Sequence, residues 1–166
     1  MRIIILAAAM LLPLATPALA QGIGEGIAVG DWVVRRVQDA GGGAQTCVAA
    51  LPADDKSAVG FGATNQDKTF VMLIDPTAKW TPGKDYALEF KIDAGKTTKA
   101  SAFASNPTTL IQVIGTIKEG GLFFDVVQAG NDIHLETADS TYDYALKGSK
   151  AALDTLGACL GAAMGG

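Results

Sequence analysis

Histidine is almost missing from this chain: His134 is the only one in 166 residues. Cysteine is nearly as scarce, with Cys47 and Cys159 alone. Each scarcity closes a class of chemistry. A Ser-His-Asp triad would have to use His134, yet there is no GxSxG elbow and no serine in a fitting setting. CxxC and CxxCH are both absent, so dithiol redox catalysis and covalent haem lack their motifs. The chain also lacks a basic stripe. Lys and Arg number 13 against 17 Asp and Glu, scattered singly or in pairs. Phosphate neutralisation supplies most nucleic-acid affinity, so nucleic acid is not an expected partner, and anionic lipid is equally discouraged.

Long apolar runs are confined to the start. Met1-Arg2 precedes IIILAAAMLLPLATPALA, an apolar stretch broken by Pro13 and closed by small residues at Ala18 and Ala20. This is the layout of a secretory signal over residues 1–20, with cleavage before Gln21. A membrane anchor needs about 20 consecutive apolar residues, and Pro13, Thr16 and Pro17 cut the run short. No cysteine follows the cleavage point to carry a lipid. The expectation is a periplasmic or secreted monomer of about 146 residues, without a membrane anchor and with one core. In an oxidising compartment Cys47 and Cys159 allow a single intramolecular bridge, the alternative being two buried thiols.

The mature chain reads as one β domain over residues 31–166. Residues 21–30, QGIGEGIAVG, are glycine-rich and unpatterned, a flexible lead-in. Trp32 and Val34 share a face by the two-residue period, Gly41-Gly42-Gly43 interrupts, and Cys47, Ala49 and Leu51 then alternate. Val59, Phe61 and Ala63 alternate next, before a buried-strand run at 69–74. Thr81-Pro82-Gly83-Lys84 fits a type II turn. Tyr86, Leu88, Phe90 and Ile92 then face one way, with Ala100, Ala102 and Ala104 alternating after them. Further strands are expected at 108–114, 122–127, 132–137 and 141–146. Only residues 149–161 read as a helix, with Ser149 as N-cap, Leu153, Leu156 and Leu160 on one face, and Gly161 as the stop. The fold class is therefore all-β: an antiparallel sandwich or barrel of about 8–10 short strands with one C-terminal helix docked on it.

KIDAGKTT at 91–98 carries the Gly-Lys-Thr of a phosphate loop, but the glycine required five residues earlier is Phe90. The stretch reads as a hairpin turn with Gly95 in the left-handed conformation. Asp132, His134 and Glu136 would project together from one strand face as candidate metal ligands, though the same pattern describes a polar outer face. No metal or other cofactor is expected. Trp32, Tyr86 and Phe90 are expected core aromatics, and Trp80, just before a turn, is the better contact residue. Phe61, Phe90, Phe103 and Phe124 would line any cavity of a small-ligand carrier.

Gly30-Asp31-Trp32-Val33-Val34-Arg35, Cys47-Val48-Ala49, and Tyr144-Ala145-Leu146-Lys147-Gly148 with Ala152-Leu153, Leu156 and Cys159 resemble the invasion-associated locus B family. These are exported alphaproteobacterial proteins with an opening GDW strand and a closing strand that leads into an AL-rich terminal helix. The likeness covers both ends of the mature chain and loosely its middle. The family often has a cysteine directly after the GDW strand, where Arg36 or its neighbour stands here, and this absence favours pairing of Cys47 with Cys159. The resemblance supplies no catalytic residues. It implies an exported, non-enzymatic binding or envelope and host-interaction module with a protein or envelope partner. The alternatives are a periplasmic small-ligand carrier and, less favoured, a metal-dependent enzyme.

Overall fold

The computed structural model describes residues 26–38 and 44–164; the signal segment 1–20, the first half of the lead-in and the triple glycine lie outside the described residues. In chain order the elements are β1 (Ile27–Val29), β2 (Trp32–Gln38), β3 (Gln45–Pro52), β4 (Ala58–Thr64), β5 (Lys68–Ile74), β6 (Asp85–Ile92), β7 (Thr98–Asn106), β8 (Thr109–Gly115), α1 (Ile117–Ala129), β9 (Asp132–Glu136), β10 (Thr141–Ala145) and α2 (Ser149–Met164). All strands join one antiparallel sheet in the order β1-β2-β3-β4-β5-β8-β7-β6-β9-β10.

The two-residue period decides which face is buried. Trp32, Val34, Cys47, Ala49, Val59, Phe61, Val71, Leu73, Leu88, Phe90, Ala102, Leu110, Ile133 and Leu135 all enter one core. The run 69–74 is apolar on both faces, and on the outer one the end of the Phe70 ring reaches over Gly62, where a β-carbon would collide with it. That close approach buries Phe70 without a second sheet.

A flat sheet would hold β5 and β10 about 24 Å apart, since neighbouring strands are spaced by about 4.8 Å and β8, β7, β6 and β9 lie between them. Yet the Tyr142 hydroxyl on β10 reaches Asp75 at the end of β5 at 2.6 Å, and Tyr144 meets Ser57 beside β4 at 2.7 Å. Trp32 on β2 donates its indole N–H to the Lys147 carbonyl just past β10 at 2.9 Å. The sheet is therefore curled into an open barrel whose outermost strands do not pair with each other. Helix α2 packs on β2, β3 and β4, α1 packs on β5 and β8, and the helices touch. The Cys47–Cys159 disulfide, with Cα atoms 6.1 Å apart, ties α2 to β3.

Several expectations are corrected. The stretch 122–127 is helical, not a strand. Thr116 and Glu119 form a reciprocal capping box that starts α1, and Gly120, Phe123, Phe124 and Val127 face inward at helical spacing. Leu122 and Val126 remain exposed, which makes the same stretch apolar all round. Ile27–Val29, assigned above to the lead-in, pair with β2 through a two-residue turn at Gly30-Asp31, with Gly30 at φ +61. Ser149 does not cap α2 with its side chain; the hydroxyl donates to the Val127 carbonyl, joining the two helices. Nor does Gly161 end α2, which runs to Met164. The left-handed residue at the 93–95 turn is Asp93, φ +50, because its carboxylate accepts the Asn131 and Asp132 amides. Gly95 instead closes the turn by donating to the Ile92 carbonyl.

Candidate functional site

The expected site residues separate. Trp32 and Phe90 are in the core, whereas Tyr86 is only half-buried, at the barrel rim. Phe61 packs against Trp32, Phe123 and Phe124 with ring centroids 5.9–6.3 Å apart, and Phe90 against Phe123 at 5.5 Å. These rings fill one another's space where a carrier's cavity would be. Phe103 belongs to the outer face and is 39% exposed, so it lines no interior.

Asp132, His134 and Glu136 do alternate with buried Ile133 and Leu135 along β9, as their spacing requires. Cross-strand partners then draw them apart. His134 Nδ1 meets Asp143 Oδ1 on β10 at 2.7 Å, and Glu136 stands opposite Glu89, which pairs with Lys99 at 2.7 Å. Among the described residues no three His, Cys, Asp or Glu side chains are gathered closely enough to hold a metal ion.

Trp80 has a different setting. It walls a hollow of about 290 Å³ at the barrel rim, together with Asp75, Lys79, Tyr86, Asp139 and Tyr142. Three chain segments build it. The first is the loop after β5, which Asp75 nucleates: its Oδ1 accepts from the Thr77 amide at 2.8 Å and the Thr77 hydroxyl at 2.7 Å. Trp80 is held by its own amide, which donates to the Pro107 carbonyl at 3.0 Å. The second is the start of β6, reached through the Thr81–Lys84 turn with Gly83 at φ +79, as its sequence required. The Tyr86 hydroxyl accepts the Thr81 amide at 2.8 Å, and the rings of Trp80 and Tyr86 stand 6.4 Å apart at 56°. The third is the β9–β10 turn, closed by the Thr137 hydroxyl and the Ser140 carbonyl.

Tyr142 locks the first segment to the third. Its hydroxyl donates to Asp75 Oδ2 at 2.6 Å. Burial pushes the Asp75 carboxyl up, but the bonds from Tyr142 and Thr77 outweigh it and leave the group below its ordinary value. Asp75 is therefore ionised at neutral pH. Burial, with the Asp75 carboxylate beside it, raises the Tyr142 hydroxyl to about 12. Burial alone is the leading cause of the same rise to about 12 in Tyr144.

Asp75 was readable only as the end of a strand. Asp75-Pro76-Thr77 does signal the turn, but Tyr142 lies 67 residues further on, and local spacing says nothing of such a pair. No family model, curated protein or solved structure matches the chain. Among the described residues no helix is long and apolar enough to cross a membrane.

Proposed function

We propose that this protein is an exported, non-enzymatic binding module that engages an envelope or host partner, as the resemblance to the invasion-associated locus B family implies, and that the Trp80 hollow is its contact site. The signal-like residues 1–20 and the disulfide support export. The single observation that carries the site is the rigid rim: loops from distant parts of the chain are joined by the Tyr142–Asp75 bond around a half-exposed tryptophan. A site held rigid before binding loses less entropy when a partner docks. In this hollow the Asp75 carboxylate is engaged by neutral donors, the hydroxyls of Thr77 and Tyr142 and the Thr77 amide, which fix the loop in place.

A photo-cross-linking residue placed at Asp139 in cells tests this. A discrete adduct that disappears with Trp80→Leu is expected, and the same cross-linker at Lys91 should give none. An adduct indifferent to Trp80→Leu, in protein whose circular dichroism is unchanged, would move the contact site elsewhere.

A further inference from the structure

We propose that the Trp80 hollow receives a cationic group, the guanidinium of an arginine or the ammonium of a lysine presented by the partner. This deepens the reading of function above and rests on it. Asp75 is 9% exposed, yet among the described residues no Lys, Arg or His lies within ion-pairing distance of it. Its three donors, the Tyr142 hydroxyl and the amide and hydroxyl of Thr77, are all neutral. Buried carboxylates ordinarily meet a cation or a metal. Here the charge is fixed at a hollow that opens to solvent, and Oδ2, which accepts only the Tyr142 hydroxyl, retains acceptor capacity.

The walls fit the same ligand. Trp80 and Tyr86 line the hollow, and aromatic rings attract a positive charge. Asp139, exposed on the rim, adds a second carboxylate and makes no ion pair among the described residues. The opposing charge is Lys79, also exposed on the rim and unpaired among the described residues. It would repel the incoming cation, so its removal should tighten binding. A neutral ligand would leave the charge of both carboxylates uncompensated, and an anion would be repelled by them. The acidic chain as a whole, net −4, attracts a basic partner from a distance.

The test follows the Trp80 indole N–H by ¹H–¹⁵N NMR in the mature, disulfide-bonded protein, with the buried Trp32 indole as internal control. The probes are N-acetyl-arginine amide and N-acetyl-lysine amide, against neutral N-acetyl-glutamine amide and maltotriose. Saturable shifts of Trp80 in about the 1–50 mM range are expected with the cations and not with the neutral compounds. Whichever cation binds more tightly names the side chain. Asp139→Asn should weaken binding by about five-fold, while Lys79→Gln strengthens it; neither touches the Tyr142–Asp75 bond and both keep the Trp80 reporter.

Equal shifts from the neutral compounds, or silence from both cations, overturn the proposal. Silence together with an Asp139 cross-link that needs Trp80 would leave the binding module standing and remove only the cation. Cation binding with a cross-link indifferent to Trp80 would keep the cation site and dismiss it as the partner's contact.

Discussion

The hydroxyl of Tyr142 lies 2.6 Å from the carboxylate of Asp75, although four strands separate their own strands in the sheet. The bond spans the rim of the barrel rather than following the sheet. It ties the last strand to the loop that carries Trp80, so one contact serves both the curl of the barrel and the geometry of the site.

Tyr142→Phe should destabilise the fold by about 1–3 kcal/mol, because it leaves a buried carboxylate oxygen without its donor. Urea unfolding measures this directly. Combined with Asp75→Asn, the losses should fall short of additive. Additive losses, or a single-mutant loss below about 0.3 kcal/mol, would mean that the tether is idle.

Opening the Cys47–Cys159 disulfide should lower stability by about 4–5 kcal/mol on the chain-entropy account, given a separation of 112 residues. Cys47→Ser with Cys159→Ser, or mild reductant, should shift the urea midpoint downward. A midpoint that stays put would show that α2 is held by Leu153, Leu156 and Leu160 alone.

Alkaline pH should unfold the protein through two tyrosines. Tyr142 and Tyr144 ionise near 10 in the unfolded chain but only at about 12 when folded. Their neutral forms are favoured by folding, so this stability is whole below pH 10 and is lost as pH rises from 10 towards 12. Each contributes on the order of 2 kcal/mol. Asp75 works in the opposite sense: its depressed value makes stability fall as pH drops below the ordinary 3.8. Thermal melts of wild type and Tyr144→Phe at pH 8 to 12 check the first claim. Identical alkaline slopes in the two proteins would contradict it.

Gly120→Ala should destabilise the protein by about 1–3 kcal/mol, even though alanine is the better helix former by about 1 kcal/mol. A β-carbon there would run into the side chain of Thr69, close to its backbone and unable to swing aside. Removing the cap with Glu119→Ala should cost about 1 kcal/mol. If Gly120→Ala stabilised the protein in a calorimetric melt, helix α1 would not sit against β5 as described.

Much of this protein was legible before any coordinates. Alternating apolar residues in 45–52, 58–64 and 85–92 identified strands and their buried faces, because a pleated strand turns successive side chains to opposite sides. The Pro82-Gly83 turn followed from a local backbone demand. Two cysteines allowed one pairing or two buried thiols, and the structure joins them. Helix α1 was also written in the chain, in the Thr116–Glu119 capping box and the inward positions 120, 123, 124 and 127. Exposed Leu122 and Val126 filled the gaps and hid the helical period. What local pattern could not decide was how one sheet closes on itself. Curvature sums small twists over many strands, and it alone brings Tyr142 to Asp75 and Trp32 to Lys147. The sequence offered Trp80 as a candidate contact residue; only the tertiary fold walled its hollow with Tyr142 and Asp139, because that meeting is between segments whose order in the chain says nothing of their distance in space.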